Sequence, residues 1–432
     1  MPGVLRPGVR HQFLRSPYGH RQISGKRASP GHPGTGHPVK AAICGAGISG
    51  LSAAAFLARR GWQVVVVEQA TGPRPQGYMI DFFGPGWRAA AELGILPRLR
   101  ELGYAVQRVD YVDRRGVSRA SLPFARFAQV AGGELISILR PDLERAIREV
   151  VPPETDVRYG RSVSAVAQSL DAVTITLDDG QVLEADLLIG ADGVHSAIRA
   201  LAFGPEEDFL HYLGFQVGAY SFRDAELAAQ VGDRFAVTDT RNEAMFFYRL
   251  RDGQITAMAV HRSTNPDIPA DPRALLRSRY RRLGWICPAA LGHCPEDLYY
   301  DQVAQIRMPR WHTGRVLLLG DAAAAVSLLA GQGASLGMAA ASILAEELDR
   351  HPGISSALTA FETRLRPMVE EHQRAGVSAA KWFVPATRRA SFIRRTAVRL
   401  TKFPGMTRLI STAVGTYTAS PDRGGATYDP AV

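Results

Sequence analysis

Three glycines at fixed spacing, Gly45, Gly47 and Gly50, follow a short apolar run that begins at Lys40. A carboxylate, Glu68, closes a second apolar run, Val64–Val67. Glycine at the first place permits a tight turn, at the second lets backbone approach a pyrophosphate, and at the third lets a helix pack close on its strand. Ala46, Ile48 and Ser49 complete the turn and open the helix, whose free N–H groups attract phosphate. Glu68 stands where an acid can bind a ribose hydroxyl. The stretch therefore predicts a βαβ unit holding a dinucleotide, with NAD and FAD both open.

Further positions follow along the chain. Arg140 stands between an apolar strand and a helix opened by Pro141 and Asp142, where an arginine grips a phosphate or flavin edge or makes a surface ion pair. Asp192 and Gly193 form a turn after the buried strand Leu187–Ile189, and a helix with Ser196 and Arg199 comes next. Asp321 ends the strand that starts at Arg315, and the turn Gly331, Gln332, Gly333 opens a long helix of small residues. Such a helix start presents N–H donors to an anion or carbonyl. A second one so late in the chain implies a long cofactor, reaching from a pyrophosphate at one helix to a ring at the other. Arg74 and Asp81, each near the end of a predicted strand, are further polar candidates, with solvated surface charges as the alternative.

The elements that must carry these residues fit an α/β chain. Its 432 residues, 46% hydrophobic and 21% charged, suffice for two domains with a large core. No apolar run is long enough for a transmembrane segment. Cys44, Cys287 and Cys294 show neither metal-ligand nor disulfide spacing, which predicts packing roles, no metal and a cytoplasmic location. The net charge of +10 is concentrated at the ends, with six Lys/Arg in residues 1–38 and no acid before Glu68, so no nucleic-acid groove is expected. Residues 1–38, rich in Pro, Gly, His and Arg, read as a disordered extension. Residues 39–212 and 305–372 form the cofactor-binding part, with parts of 75–130 on the substrate side. An antiparallel sheet, 213–304, is inserted as the substrate-binding domain. Residues 373–432 are a C-terminal helical segment and tail. There, Ile393, Ala397, Leu400 and Phe403 share one helical face, with Arg394, Arg395, Arg399 and Lys402 largely off it. This predicts either a peripheral membrane contact or a terminal helix with its basic face in solvent.

GAGISG with Glu68, the GADGVHSAIR turn, and WHTGRVLLLGDAA with its GQG turn together resemble the single-component (group A) FAD-dependent aromatic hydroxylases. These are the para-hydroxybenzoate hydroxylase-like enzymes, and in size the chain is similar to the tetracycline-modifying flavin monooxygenases. The resemblance covers about residues 39–375 and implies a Rossmann-type FAD-binding domain. It implies that Gly45, Gly47 and Gly50 cradle the pyrophosphate, Glu68 the adenosine ribose, Arg140 the flavin side, and Asp321 the ribityl chain. Asp192 and Gly193 match a fingerprint for FAD and, indirectly, NAD(P)H; Gly331, Gln332 and Gly333 match the loop at the flavin's pyrimidine edge. The sequence departs from the family at Ala324, Val326, Ser327 and Leu328, where His and Pro are frequent, and at Gln69, where a basic residue is frequent. The implied reaction takes electrons from NADH or NADPH and one oxygen atom from O2 to hydroxylate or epoxidise an aromatic or polyketide-like small molecule. The cofactor supplies that chemistry, so no catalytic residue is assigned. Candidates to line the substrate are Gln216, Tyr220, Phe246, Tyr248 and Met258, with plain sheet packing as the alternative. An FAD oxidoreductase without oxygen insertion is the competing function.

Overall fold

The computed structural model describes residues 38–74, 77–125 and 134–400. Its central sheet has the spatial order His312–Thr313, Val316–Leu318, Leu187–Gly190, Lys40–Cys44, Gln63–Glu68 and Asp156–Tyr159. Every neighbouring pair is parallel except the short first one. Parallel strands are covered on both faces, which is why Val64, Val65, Val66 and Val67 are all buried despite adjacent positions pointing oppositely. The helix Ile48–Ala58 is buried nearly all round because it lies between this sheet and the helix Gly333–Arg350. Its run of alanines, Ala53 to Ala55, allows that close double contact.

A seven-stranded sheet forms the second layer, in the order Tyr299–Ile306, Leu210–Arg223, Gln254–Arg262, Glu243–Arg249, Phe235–Thr240, Arg108–Val112 and Ser118–Pro123. All its pairs are antiparallel except Phe235–Thr240 with Arg108–Val112. Two of its strands thus come from the 75–130 region, and the Leu210–Arg223 strand begins three residues ahead of the expected sheet boundary. Helices Pro272–Tyr280 and Cys287–Gly292 cover one face of this sheet. A two-stranded sheet, Met79–Phe83 with Leu135–Leu139, stands between the layers.

The C-terminal region corrects two expectations. The helix Ile354–Phe383 runs unbroken through residue 372, with Pro367 inside it, so no structural break separates the two segments there. In the next helix, Arg388–Leu400, two positions depart from the expected faces: Arg394 is only 1% exposed and Ile393 is 62% exposed, while Arg399 stays on the exposed side. Arg394 turns inward because Asp239 awaits it at 2.7 Å, the carbonyls of Trp382 and Phe383 accept from its other nitrogen, and the Tyr111 ring lies 4.7 Å below. Among the described residues no helix is long and apolar enough to cross a membrane. The extension before Pro38 and the tail after Leu400 lie outside the described residues.

Candidate active site

The three glycines do three different jobs. Gly45 has φ +105°, and a Cβ there would lie 2.5 Å from the Ala191 carbonyl oxygen. A Cβ on Gly50 would lie 1.9 Å from the Gly45 carbonyl oxygen, so this residue fixes how closely the helix sits on the turn. Gly47 is different: its nearest neighbour would be the Arg140 guanidinium at 3.6 Å, and the backbone face there is open. Glu68 accepts from the backbone N–H groups of Ala46 and Ala70, both at 2.8 Å. The acid at the end of the second strand therefore holds the glycine turn in shape, and the Ala46 donor is already used. Arg74 approaches Glu68 at 3.7 Å but is 58% exposed, a solvated partner. Ile48 packs in the core. Ser49 is wedged between motifs, since a Cβ on Gly320 or on Gly337 would come within 2.2 Å of its hydroxyl.

The second turn is organised by Asp192, which accepts from the Ser196 hydroxyl at 2.6 Å and the Ile198 N–H at 3.0 Å. Burial raises the Asp192 pKa, and these bonds oppose the rise. Gly193, at φ +86°, has no atom within 4 Å of a Cβ position and so leaves the turn open. Ser196 also caps the following helix, accepting from the Arg199 N–H. The Arg199 guanidinium is fully buried and donates to the Ala322 carbonyl at 3.1 Å, the Val194 carbonyl at 2.6 Å and Glu206 at 2.7 Å. Arg199 thus ties the Asp192 turn to the Asp321 turn, a role the sequence reading did not assign. The sequence signal that marks it is an arginine three residues after a capping serine, in the helix that follows the Asp192 turn.

At the third motif, the Asp321 carboxylate faces the glycine turn, 3.2 Å from where a Gly333 Cβ would be. Burial raises its pKa, and Arg140 opposes the rise. Burial raises the Tyr78 pKa, with Arg140 opposing and Asp321 and Asp301 adding to the rise, and its ring lies 6.1 Å from that of Tyr299. Gln332 is 1% exposed, yet neither its amide oxygen nor its amide nitrogen has a partner. Leaving such a group unpaired costs about 1–3 kcal/mol, so a ligand with a polar edge belongs against it. Ser327 holds φ +112° with its hydroxyl also unpaired, directly before this loop. Gly47 with Arg140 beside it, and Asp321 with the unpaired Gln332 at the Gly331–Gly333 turn, are the candidate walls of one trench.

Across the trench stands the seven-stranded sheet, and strand register decides which side chains face it. Phe246 pairs with Met258, and Met258 with Ala219. Alternation then puts Phe215, Val217, Phe246 and Met258 on one face, where Leu328 and Leu329 of the third motif pack with them. Tyr248 shares this face: its hydroxyl accepts from the Met79 N–H at 2.6 Å and its ring stacks on Phe235 at 5.4 Å. Gln216 and Tyr220 are corrected, because their even positions on the Leu210–Arg223 strand face the other way. Gln216 donates to the carbonyls of Asn265 and Asp267 and accepts from Tyr300, while Tyr220 donates to the Ala290 carbonyl at 2.9 Å. Both are structural groups under the covering helices.

The FAD binding domain family matches residues 38–370. The chain belongs to this family. A flavin-dependent monooxygenase from an unknown prokaryotic organism is 30% identical to it over 360 residues, 80% of this chain and 90% of the relative. A flavin-dependent monooxygenase from Legionella longbeachae serogroup 1 (strain NSW150) is 28% identical over the same length, with the same shares covered. The crystal structure of tetracycline destructase Tet(55) superimposes with a TM-score of 0.74 at 26% identity, covering 88% of this chain and 98% of that one. This member of the FAD binding domain family is a flavoprotein monooxygenase, with FAD as cofactor and NAD(P)H as electron source. The trench fits FAD on its own chemistry. Its open backbone at Gly47 beside Arg140 suits a pyrophosphate, and the unpaired amide of Gln332 suits a ring edge carrying both donors and acceptors.

Proposed function

We propose that this monooxygenase hydroxylates or epoxidises a flat aromatic or polyketide-like small molecule lying between the Gly331–Gly333 loop and the inner face of the seven-stranded sheet. The observation that carries this reading is the face itself: Phe235, Phe246 and Met258 pack with Leu328 and Leu329, in the loop that leads to the buried and unpaired Gln332. Such a wall takes an extended apolar ring and offers few polar contacts to fix it. Residues 39–212 and 305–372 hold the cofactor, parts of 75–130 reach the substrate side, and 213–304 supply most of the sheet.

In this reading the open backbone at Gly47 and the first turn at Ile48 and Ser49 receive the pyrophosphate, with Arg140 opposite. Glu68, already bonded to Ala46 and Ala70 through one lone pair on each oxygen, has acceptor sites left for a ribose hydroxyl. Asp192 and Gly193 shape the middle of the trench, and Asp321 accepts from the ribityl hydroxyls. Gln332, with the N–H of Gly333, meets the ring edge, where the start of the Gly333–Arg350 helix favours negative charge. When bound, FAD supplies the redox chemistry, passing two electrons from NAD(P)H to O2 so that one oxygen atom reaches the substrate and the other leaves as water. The apolar side chains of Leu328, Leu329 and Phe246 keep bulk water from that exchange. All three cysteines are buried and free, which suits a reducing cytoplasm.

The test is FAD-loaded protein with a panel of hydroxylated arenes and tetracycline, following NAD(P)H oxidation and product mass under 18O-labelled O2. Ligand-stimulated oxidation with one labelled oxygen in the product is the expected result. Turnover without label would overturn oxygen insertion and leave an FAD oxidoreductase.

A further inference from the structure

We propose that Asp81 is the polar anchor of the substrate pocket, accepting a hydrogen bond from a ring hydroxyl of the bound molecule and thereby selecting hydroxylated arenes and enols over their ethers. The inference rests on the monooxygenase reading and names what its substrate must carry.

Placement comes first. In the two-stranded sheet Asp81 lies opposite Ser137. Phe82, Ile136 and Ile138 on the same strands point into the main core, so alternation turns Asp81 and Ser137 to the other side. Both ends of the Met79–Phe83 strand are fixed to walls of the cleft. At one end the Met79 N–H donates to the Tyr248 hydroxyl on the sheet's inner face. Beyond the other, a Cβ on Gly84 would lie 3.3 Å from the Gln332 amide oxygen. Strand rise puts Asp81 about 7 Å from the first anchor and about 10 Å from the second, between the aromatic wall and the unpaired amide.

The chemistry comes second. Ser137 donates to one Asp81 oxygen at 2.5 Å, and among the described residues this is its one hydrogen bond. No arginine, lysine or histidine of the described residues pairs with it. Titratable groups on the elements packed nearby are Tyr248, Tyr104 with the Arg251 guanidinium over its ring, and Arg140 at the end of the partner strand; none bonds to Asp81. Burial pushes its carboxyl up to about 6 against the single opposing bond from Ser137. An ionised carboxylate accepts only, and buried without a cation it is costly until a ligand brings a donor. A hydroxylated ring lying on Phe246 and Phe235 brings one.

The experiment titrates FAD-loaded wild type with 1-naphthol and with 1-methoxynaphthalene, reading the flavin absorbance change, and repeats it with Asp81→Leu and the gentler Asp81→Asn. A hydrogen bond to a charged acceptor predicts a preference for the naphthol of about ten-fold or more. That preference falls to about two-fold in Asp81→Leu, and in wild type it weakens as pH drops below about 6. FAD affinity, measured by flavin fluorescence, stays within about two-fold of wild type in both variants. The proposal is overturned if wild type shows no preference or does not bind the naphthol, if Asp81→Leu keeps the preference, or if both variants lose FAD. The labelled-oxygen test on wild type is independent of Asp81, so failure of the anchor and failure of the monooxygenase reading give different results.

Discussion

Around Gly45, Gly47 and Gly50 the proposed room for a ligand is made by side chains that are missing, whereas on the proposed substrate face, Phe235, Phe246, Tyr248 and Met258, it is shaped by side chains that are present. The first surface is set by backbone contacts such as the Glu68 bonds to Ala46 and Ala70, and hardly depends on what lies elsewhere. The second depends on register, since a one-residue slip of a strand would exchange Phe246 for Phe247 and turn the wall inside out. A cofactor shared by a whole family needs the first kind of surface, and a substrate that differs between members needs the second.

The largest effect expected from breaking this contrast lies within the glycine turn itself. A Cβ on Gly50 overlaps backbone at 1.9 Å, which nothing can relieve without moving the strand, while one on Gly47 meets a flexible arginine tip at 3.6 Å. Gly50→Ala therefore costs about 3 kcal/mol or more and yields little folded protein. Gly47→Ala leaves the thermal midpoint of cofactor-free protein nearly unchanged and weakens FAD binding by about ten-fold or more. Equal losses of stability without FAD would show that Gly47 is also a packing residue.

Two buried guanidinium groups extend the comparison at the next size of effect. Arg394→Met takes from Asp239, whose side chain is 1% exposed, its 2.7 Å partner and leaves it only the half-buried Arg395 at 3.2 Å, at a cost of about 3 kcal/mol in urea unfolding. Arg199→Met leaves Glu206 with His195 at 2.9 Å and with water, so the cost is smaller, about 1–2 kcal/mol, and comes with weaker FAD binding as the Asp321 turn loosens. The reverse order would mean that the cofactor side, not the sheet, contains the more tightly closed interior.

The same contrast explains what could be read from the chain. The FAD-binding fold was legible because Gly45 to Glu68 is a local pattern, and GADG and GQG are local too. The faces of the sheet were not. Leu213 to Phe222 is apolar on both alternating sets, since helices cover one side and the cofactor loop the other, so parity carried no label and Gln216 and Tyr220 were assigned to the wrong face. Arg394 looked like a solvent-facing charge because its acid lies 155 residues away. Arg199 stood in a recognised turn, but the carbonyl that explains it lies 123 residues further on.

The wrong-face correction is itself testable at moderate size. Phe246→Ala removes a fully buried ring from the cleft wall, costs about 3 kcal/mol, and weakens 1-naphthol binding. Tyr220→Phe removes one hydrogen bond on the far side, costs about 1 kcal/mol, and leaves that binding unchanged. A larger ligand effect from Tyr220→Phe than from Phe246→Ala would restore the sequence assignment.

The smallest effect joins the two regions. His195, on the Asp192 turn, has one ring nitrogen 2.9 Å from Glu206 and the other 3.4 Å from Asp301, which belongs to the seven-stranded sheet. The bond to Asp301 and then that to Glu206 raise its pKa from 6.5 to about 9, burial opposing. The folded protein thus holds this proton more tightly than the unfolded chain, so the stabilisation is fully present below about pH 6.5 and is lost as pH rises through about 9. The imidazole is 52% exposed, so solvent screening limits the gain to about 1 kcal/mol or less. Thermal midpoints of wild type and His195→Gln at pH 6.5 and pH 9.5 should converge at the higher value, because only wild type has a proton to lose there. Parallel loss in both proteins would mean that the cofactor side and the substrate sheet are held together without it, by apolar contacts such as those of Leu328 and Leu329 with the sheet.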